Sequence, residues 1–222
     1  MNGFTKEDEI DFLKGYIQLS PEARVLEVKA LWDNAKNMEP CDKRAMLYLL
    51  AIESFFMQQE ALYKFLKATR AATIGKDYLN TLMKSTFNPK QDIALILSAE
   101  DLGVKYPPKI TRPEKEKIEK RVNNIIKTCR DLVKPNEIFS DLYYSLKHGF
   151  LIYKKNEDIL PLMHKEKEKR FYDFLKKRDI KGQENSFLKN DFSYLIDLNR
   201  RVAYAIQDVV AIRLIQLGVT VL

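Results

Sequence analysis

The feature that most constrains the fold is a long helical periodicity between Pro40 and Thr73. Apolar residues recur there at three- and four-residue steps, which is the spacing of one face of an α-helix. Met46, Leu50 and Phe55 widen this stripe until it covers most of the circumference. Because a helix that is apolar nearly all round is buried among other elements, we expect a helical bundle built around this segment.

Similar patterns predict helices on both sides of the central one. Ser20-Pro21-Glu22 combines a capping serine, a proline at the first helical position and an acid in the first turn, and it begins a helix that runs to about Met38. Pro135 is expected to open a new helix for the same reason. The other predicted helices span residues 6–18, 76–85, 89–102, 113–133, 135–149, 165–177 and 191–217.

Two segments interrupt the helical pattern. Residues 103–113 include adjacent prolines and form the one obvious linker, which either divides two lobes or lets the chain cross the bundle. Residues 150–153 and 159–163 are β-like, and a short hairpin or an ordered loop both fit them. We predict an all-α fold, an up-and-down helical bundle in a single domain over residues 1–222, with a small β-like or irregular insertion near residues 150–190.

Composition excludes several classes of protein. Seven glycines and eight prolines are few for a β-sandwich or barrel, and 45% hydrophobic residues argue against disorder. Cys41 and Cys129 are far apart, which favours two reduced thiols in a cytoplasmic protein. The first residues lack the features of a signal peptide, and no uncharged run approaches the ~20 residues that span a bilayer. We therefore expect a cytoplasmic protein without a membrane partner.

The sequence also lacks the signatures of common metal and nucleotide chemistries. Neither histidine has the Glu-x-x-His spacing of a di-iron bundle, and no His/Cys spacing suits structural zinc. There is no glycine-rich phosphate loop. We predict no metal and no cofactor, so catalysis by histidine would use His148 or His164. His164 lies in a charged segment and is expected to be an exposed residue without a role.

Two interpretations of His148 stay open. A Lys147-His148-Gly149 helix end is what the helix dipole and a glycine cap favour, which gives these residues a structural role. Alternatively, Tyr144, Lys147 and His148 share one helix face because they are three and four residues apart. An imidazole that moves protons and a lysine that stabilises charge suit a phosphodiester, and RNA supplies its own 2′-hydroxyl nucleophile.

The segment that follows His148 is basic and aromatic. Residues 147–189 hold twelve Lys or Arg and seven Asp or Glu, so most of the net charge of +7 lies there. Interleaved aromatic residues such as Tyr153 and Phe171 suit base stacking beside phosphate contacts, although they also suit a core covered by solvated lysines. The predicted nucleic-acid-binding residues are Lys154, Lys155, Lys167, Arg170, Lys176, Lys177 and Arg178.

Residues 142–151, Leu-Tyr-Tyr-Ser-Leu-Lys-His-Gly-Phe-Leu, resemble a Tyr-Asn-Lys-x-Lys-His-Gly-Phe pattern of helical proteins similar to the HEPN superfamily. The resemblance implies an up-and-down helical bundle that is often dimeric. It also implies a relationship to metal-independent ribonucleases of toxin–antitoxin, abortive-infection and CRISPR-type defence systems.

The resemblance has departures at the expected active motif. That motif places an arginine ahead of its histidine with four to six residues between them, but Asp141, Leu142 and Tyr143 stand at those places, and Tyr144 replaces the asparagine of the related pattern. Lys147 would have to supply the missing charge, or Arg130 from the preceding predicted helix, and lysine is not equivalent to the two-pronged guanidinium. The resemblance therefore implies an inactive module as readily as a nuclease.

We predict a HEPN-like protein that acts on or binds RNA, either as a ribonuclease of a prokaryotic defence or toxin–antitoxin system or without cleavage. In the nuclease, His148 is the general acid/base, Lys147 holds the phosphate and Tyr144 positions it. A homodimer is expected, with an antitoxin or other protein as a further partner. The alternative is a non-catalytic helical protein-interaction module. A nucleic-acid-binding regulator is disfavoured, since no short helix-turn-helix carries a basic recognition helix.

Overall fold

In a computed structural model of the chain, the described residues are 4–18, 22–38, 42–87, 110–147, 152–155, 158–161, 193–219 and 221. They form helices and one small sheet, so the predicted all-α bundle is confirmed. The helices are α1 (Lys6–Gln18), α2 (Ala23–Lys36), α3 (Asp42–Thr73), α4 (Tyr78–Lys84), α5 (Arg112–Lys147) and α6 (Ser193–Gln216). The helices predicted at 89–102 and 165–177, and most of the linker at 103–113, lie outside the described residues.

Local side-chain caps explain where three of the helices begin. Before α1, the Asp8 carboxylate accepts a hydrogen bond from the Thr5 N–H at 2.8 Å, and the Thr5 hydroxyl accepts one from the Asp8 N–H at 3.2 Å. Glu114 accepts in the same way from Thr111 at the start of α5, and Asp77 accepts from the N–H of Asn80 at the start of α4. Polar residues at these positions satisfy N–H groups that a helix leaves unpaired.

Helix α3 lies at the centre of the bundle. It packs against α2, α4, α5 and α6, and Phe55 and Phe56 on it are fully buried. Burial of each such side chain contributes roughly 1.5–3 kcal/mol to stability. The prediction of a central helix between Pro40 and Thr73 is therefore confirmed.

Helix α5 corrects one prediction. The helices expected at residues 113–133 and 135–149 form a single helix that contains Pro135. One buried stripe continues across the proline, because Leu132 precedes it and Asn136, Ser140 and Tyr143 follow at helical spacing. Proline removes one backbone hydrogen bond from a helix interior. Burial on both sides of Pro135 keeps the helix continuous here.

The predicted insertion near residues 150–190 contains a short hairpin, which is one of the two structures expected there. Strands β1 (Ile152–Lys155) and β2 (Asp158–Pro161) pair antiparallel, with Lys154 opposite Ile159 and Lys155 opposite Asp158. Strand β2 lies against α5. The hairpin thus follows the C-terminal end of α5 and folds back on that helix.

Candidate functional site

The C-terminal half of α5 presents a polar face to the rest of the bundle. Asn136, Ser140, Tyr143 and Lys147 share this face because they are spaced by three and four residues. The first three are almost fully buried, whereas Lys147, the last residue of the helix, is exposed. The predicted residues Tyr144 and Lys147 therefore lie in the last helical turn, where a buried face reaches the surface.

Tyr143 is fixed by its contacts with α3. Its ring stacks on Phe56 with centroids 4.9 Å apart, and its hydroxyl donates a hydrogen bond to Glu60 Oε2 at 2.8 Å. Burial, followed by the hydrogen bond to the Glu60 carboxylate, raises the pKa of Tyr143. The phenol consequently stays protonated and acts as a hydrogen-bond donor.

Glu60 receives two lysine side chains in addition to Tyr143. Lys64, one helical turn further along α3, contacts Oε1 at 2.9 Å, and Lys147 from α5 contacts Oε2 at 3.0 Å. The Lys147 ammonium also lies 5.4 Å from the centroid of the Tyr143 ring, within cation–π distance. We call these residues, Glu60, Lys64, Tyr143 and Lys147, the Glu60 cluster.

The electrostatics of the Glu60 cluster keep its carboxylate ionised. Burial raises the pKa of Glu60, but the hydrogen bonds from Lys64, Tyr143 and Lys147 together outweigh it and lower the pKa to about 2. Within the cluster, the one carboxylate therefore contacts two ammonium groups, and Glu53, also on α3, adds a second negative charge near Tyr143. The cluster holds an anion with an excess of cationic donors around it.

The structure brings together some of the predicted site residues. Lys147 belongs to the Glu60 cluster, and Tyr144 is half-buried beside it, with its ring centroid 6.0 Å from that of Tyr143. His148 lies outside the described residues, so its predicted position on the same face stays a prediction. The tyrosine whose hydroxyl donates to the carboxylate is Tyr143, a position considered from the sequence only because it lacks the arginine of the motif.

Sequence reasoning also missed Glu60 and Lys64. Their four-residue spacing on one helix was a visible signal of an ion pair. The contact of Glu60 with α5 had no such signal, because it joins residues 83 and 87 positions apart in the chain and depends on how α3 and α5 pack together.

The predicted nucleic-acid-binding residues fall into two groups. Lys154 and Lys155 lie on β1, directly after the end of α5. The others lie outside the described residues: Lys167, Arg170, Lys176, Lys177 and Arg178. Contact of either group with RNA stays a prediction.

The part of the chain that the structure describes contains no group of side chains placed to bind a metal ion and no accessible cysteine. No group of three His, Cys, Asp or Glu side chains there is placed to hold a metal ion. Cys129 is a buried free thiol, and burial raises its pKa to about 12, so it stays protonated and is a poor nucleophile. Cys41 lies outside the described residues.

Comparisons with family models, curated proteins and solved structures found no match to this chain. Among the described helices, none combines the length and apolar character needed to cross a membrane.

Proposed function

We propose that this chain is a HEPN-like protein that binds RNA and cleaves it without a metal ion, as part of a prokaryotic defence or toxin–antitoxin system. The observation that carries the proposal is the position of the end of α5. Tyr144 and Lys147 lie in its last turn, the chain continues to His148, and β1 then brings Lys154 and Lys155 close behind. Along the chain, the donors of the last turn of α5, a residue capable of proton transfer and the basic residues of β1 thus follow one another.

The charge distribution supports an anionic ligand at this end. The Glu60 cluster carries two lysines for one carboxylate, and residues 147–189 add an excess of five basic residues. A phosphate backbone is the ligand that such a segment attracts without sequence-specific contacts.

The proposed chemistry uses the 2′-hydroxyl of RNA as the nucleophile. His148 accepts the 2′-hydroxyl proton while the 2′-oxygen bonds to phosphorus. The bond from phosphorus to the 5′-oxygen breaks, and His148 returns the proton to that oxygen directly or through water. Lys147 offsets the charge that develops on the phosphate oxygens. The products are a 2′,3′-cyclic phosphate and a 5′-hydroxyl.

The decisive experiment compares His148→Ala with His164→Ala on a single-stranded RNA in the presence of EDTA. Loss of a general acid/base lowers rates by about 10²–10⁴, so His148→Ala should nearly abolish cleavage and His164→Ala should not. End-group analysis should find 2′,3′-cyclic phosphates. If wild type and His148→Ala cleave equally poorly, and His148→Ala instead lowers the melting temperature, His148 is a helix cap and the nuclease proposal fails.

RNA binding has its own test. Lys154→Glu with Lys155→Glu should weaken binding of a labelled single-stranded RNA, and the native affinity should fall steeply with salt because binding releases counterions. The matched control is Lys115→Glu with Lys117→Glu, the same charge change on exposed residues at the other end of α5. Equal losses in both double variants would indicate a general charge effect and no site.

We also propose a homodimer, as the HEPN resemblance suggests. Sedimentation at tens of micromolar should give a species of twice the 26.0 kDa chain mass. A 26.0 kDa species alone would contradict the dimer.

A second candidate is a non-catalytic protein-interaction module. Two observations favour it: the Lys147 ammonium is paired with Glu60, and the apolar residues Leu26, Ile74 and Met83 are each more than half exposed. Absence of RNA affinity even at low salt would leave this candidate, with an antitoxin or another protein as the partner.

A further inference from the structure

The Glu60 cluster has the composition of an anion-binding site that is already filled. Three donors from two helices, the ammonium groups of Lys64 and Lys147 and the hydroxyl of Tyr143, converge on the two oxygens of one carboxylate. Lysines and a phenol are also the donors that proteins use to hold a phosphate. Here the anion is not a bound phosphate but the Glu60 carboxylate, which belongs to α3 itself.

The cluster is placed where an external anion can reach it. The Lys64 and Lys147 side chains are 31% and 41% exposed, whereas the Glu60 side chain is 18% exposed. Lysine has a flexible stem and three donor hydrogens, so each ammonium group can turn to a new acceptor without movement of the helices. Tyr143 cannot turn in this way, because its ring is buried and stacked on Phe56.

We infer that Lys64 and Lys147 form a two-lysine site for an RNA phosphate, and that the Glu60 carboxylate occupies this site in the RNA-free protein. The inference rests on the proposed function, because RNA is the ligand there. It adds Lys64, on a different helix, to the binding residues, and it makes Glu60 a residue with which the RNA phosphate competes. The Glu60 cluster then keeps the site closed to weakly held anions.

The sign of a change at Glu60 follows from two opposing effects. The carboxylate holds the lysines near each other, which favours phosphate binding, and it repels the phosphate, which opposes binding. Ordering of exposed lysines is a small effect, whereas a unit charge in direct contact with the site is a large one in a partly buried environment. Removal of the charge should therefore tighten RNA binding.

The test measures anisotropy of a fluorescein-labelled single-stranded RNA of mixed sequence over a range of KCl concentrations. Glu60→Gln should bind on the order of tenfold more tightly than wild type at low salt. The salt slope should steepen by no more than about 0.7, the value for one full phosphate contact on a single strand, because the neutral side chain no longer competes with a contact that wild type makes in part. Adding Lys64→Gln to Glu60→Gln should reverse both changes.

The matched control is Glu119→Gln, which removes one carboxylate from an i,i+4 lysine pair on the exposed N-terminal part of α5. It makes the same change in net charge outside the site and should change affinity and slope little. If Glu60→Gln binds no better than Glu119→Gln, or binds more weakly than wild type, the inference is overturned while the proposed function stands. If neither wild type nor any variant binds RNA at low salt, the proposed function fails and the inference fails with it.

A second set of variants leaves Glu60 intact, so the test does not depend on how Glu60→Gln folds. Glutamine can still accept the Tyr143 hydroxyl hydrogen bond, and thermal unfolding checks that the variant is native. Lys64→Gln in the otherwise native chain should weaken RNA binding and flatten the salt slope, whereas Lys115→Gln should do neither. Equal behaviour of these two variants would also overturn the inference.

Discussion

Two of the ion-paired clusters that join helices among the described residues are built differently. Arg213 of α6 contacts both Glu9 oxygens, through Nε at 2.6 Å and Nη2 at 3.2 Å, and its guanidinium lies 5.4 Å from the Tyr78 ring centroid. One cation matches one carboxylate, and both side chains are less than 15% exposed. The Glu60 cluster instead places two flexible, partly exposed lysines on one carboxylate.

The difference separates a structural pair from a candidate binding site. A planar guanidinium with two bonds to one carboxylate is rigid, and it links α1, α4 and α6 at one place. The positive charge of Arg213 is balanced by the Glu9 carboxylate inside the protein. The lysines of the Glu60 cluster share a single carboxylate and reach solvent, so part of their capacity is available to a ligand. Each prediction below tests this contrast through stability.

The largest effect is expected for Arg213→Met. It leaves Glu9 buried without its cation, and breaking a buried pair in this way costs about 3–5 kcal/mol. Urea unfolding measures the change in the free energy of unfolding. The control is Arg200→Met on the same helix, whose exposed pair with Asp197 should contribute less than about 0.5 kcal/mol. Similar losses in both variants would remove the distinction between a buried structural pair and a surface one.

An intermediate effect is expected for Tyr143→Phe. The substitution keeps the stacking on Phe56 and removes the hydroxyl that donates to the Glu60 carboxylate. A hydrogen bond to a charged acceptor is worth about 1.5 kcal/mol or somewhat more, which urea unfolding can resolve. Tyr204→Phe is the control, since that exposed hydroxyl lies 3.4 Å from Glu22 and should matter little. A Tyr143→Phe variant as stable as wild type would mean that the hydroxyl does not hold the cluster together.

The smallest effect concerns acid, because solvent screens the partly exposed lysines. Glu60 has its pKa lowered to about 2 from 4.5, so its stabilising contribution is present above pH 4.5 and is lost as the pH falls towards 2. The stability difference between wild type and Glu60→Gln should therefore shrink over that range, as followed by thermal unfolding.

Asp208 supplies a control of opposite sign for the acid experiment. Burial raises the pKa of its carboxyl and outweighs the contact with Arg121, so the folded state binds a proton more readily than the unfolded one. Wild type should gain stability relative to Asp208→Asn as the pH falls through that raised pKa. Parallel trends for Glu60 and Asp208 would contradict the assigned electrostatics.

Much of the helical framework could be predicted from local sequence. Helix α1 spans Lys6–Gln18, as the pattern predicted, and α6, Ser193–Gln216, falls within the helix predicted at residues 191–217. Periodicity succeeds here because burial on one side of a helix repeats every three or four residues. The prediction at Pro135 was wrong because the residues around a proline do not tell whether it stands in the first turn of a helix or inside a continuous one.

The candidate site was predicted in part. The sequence predicted a site around Lys147, and Lys147 lies at the end of α5 in contact with the Glu60 carboxylate. Glu60 and Lys64 were not predicted to meet it, and Tyr143 was not recognised as the buried donor. Their meeting depends on the packing of α3 against α5, which no spacing along the chain encodes.

The sequence by itself determined that this protein is a bundle of amphipathic helices around one central helix with a wide apolar stripe, because apolar periodicity and helix caps act over a few residues. Only the tertiary structure decided that α5 continues through Pro135 and that Lys147 faces Glu60. Both outcomes depend on contacts between distant segments. Burial on either side of Pro135 supports the continuous helix. The Glu60 carboxylate on α3 attracts the Lys147 ammonium of α5, because the two opposite charges are close together at the partly buried edge of the core.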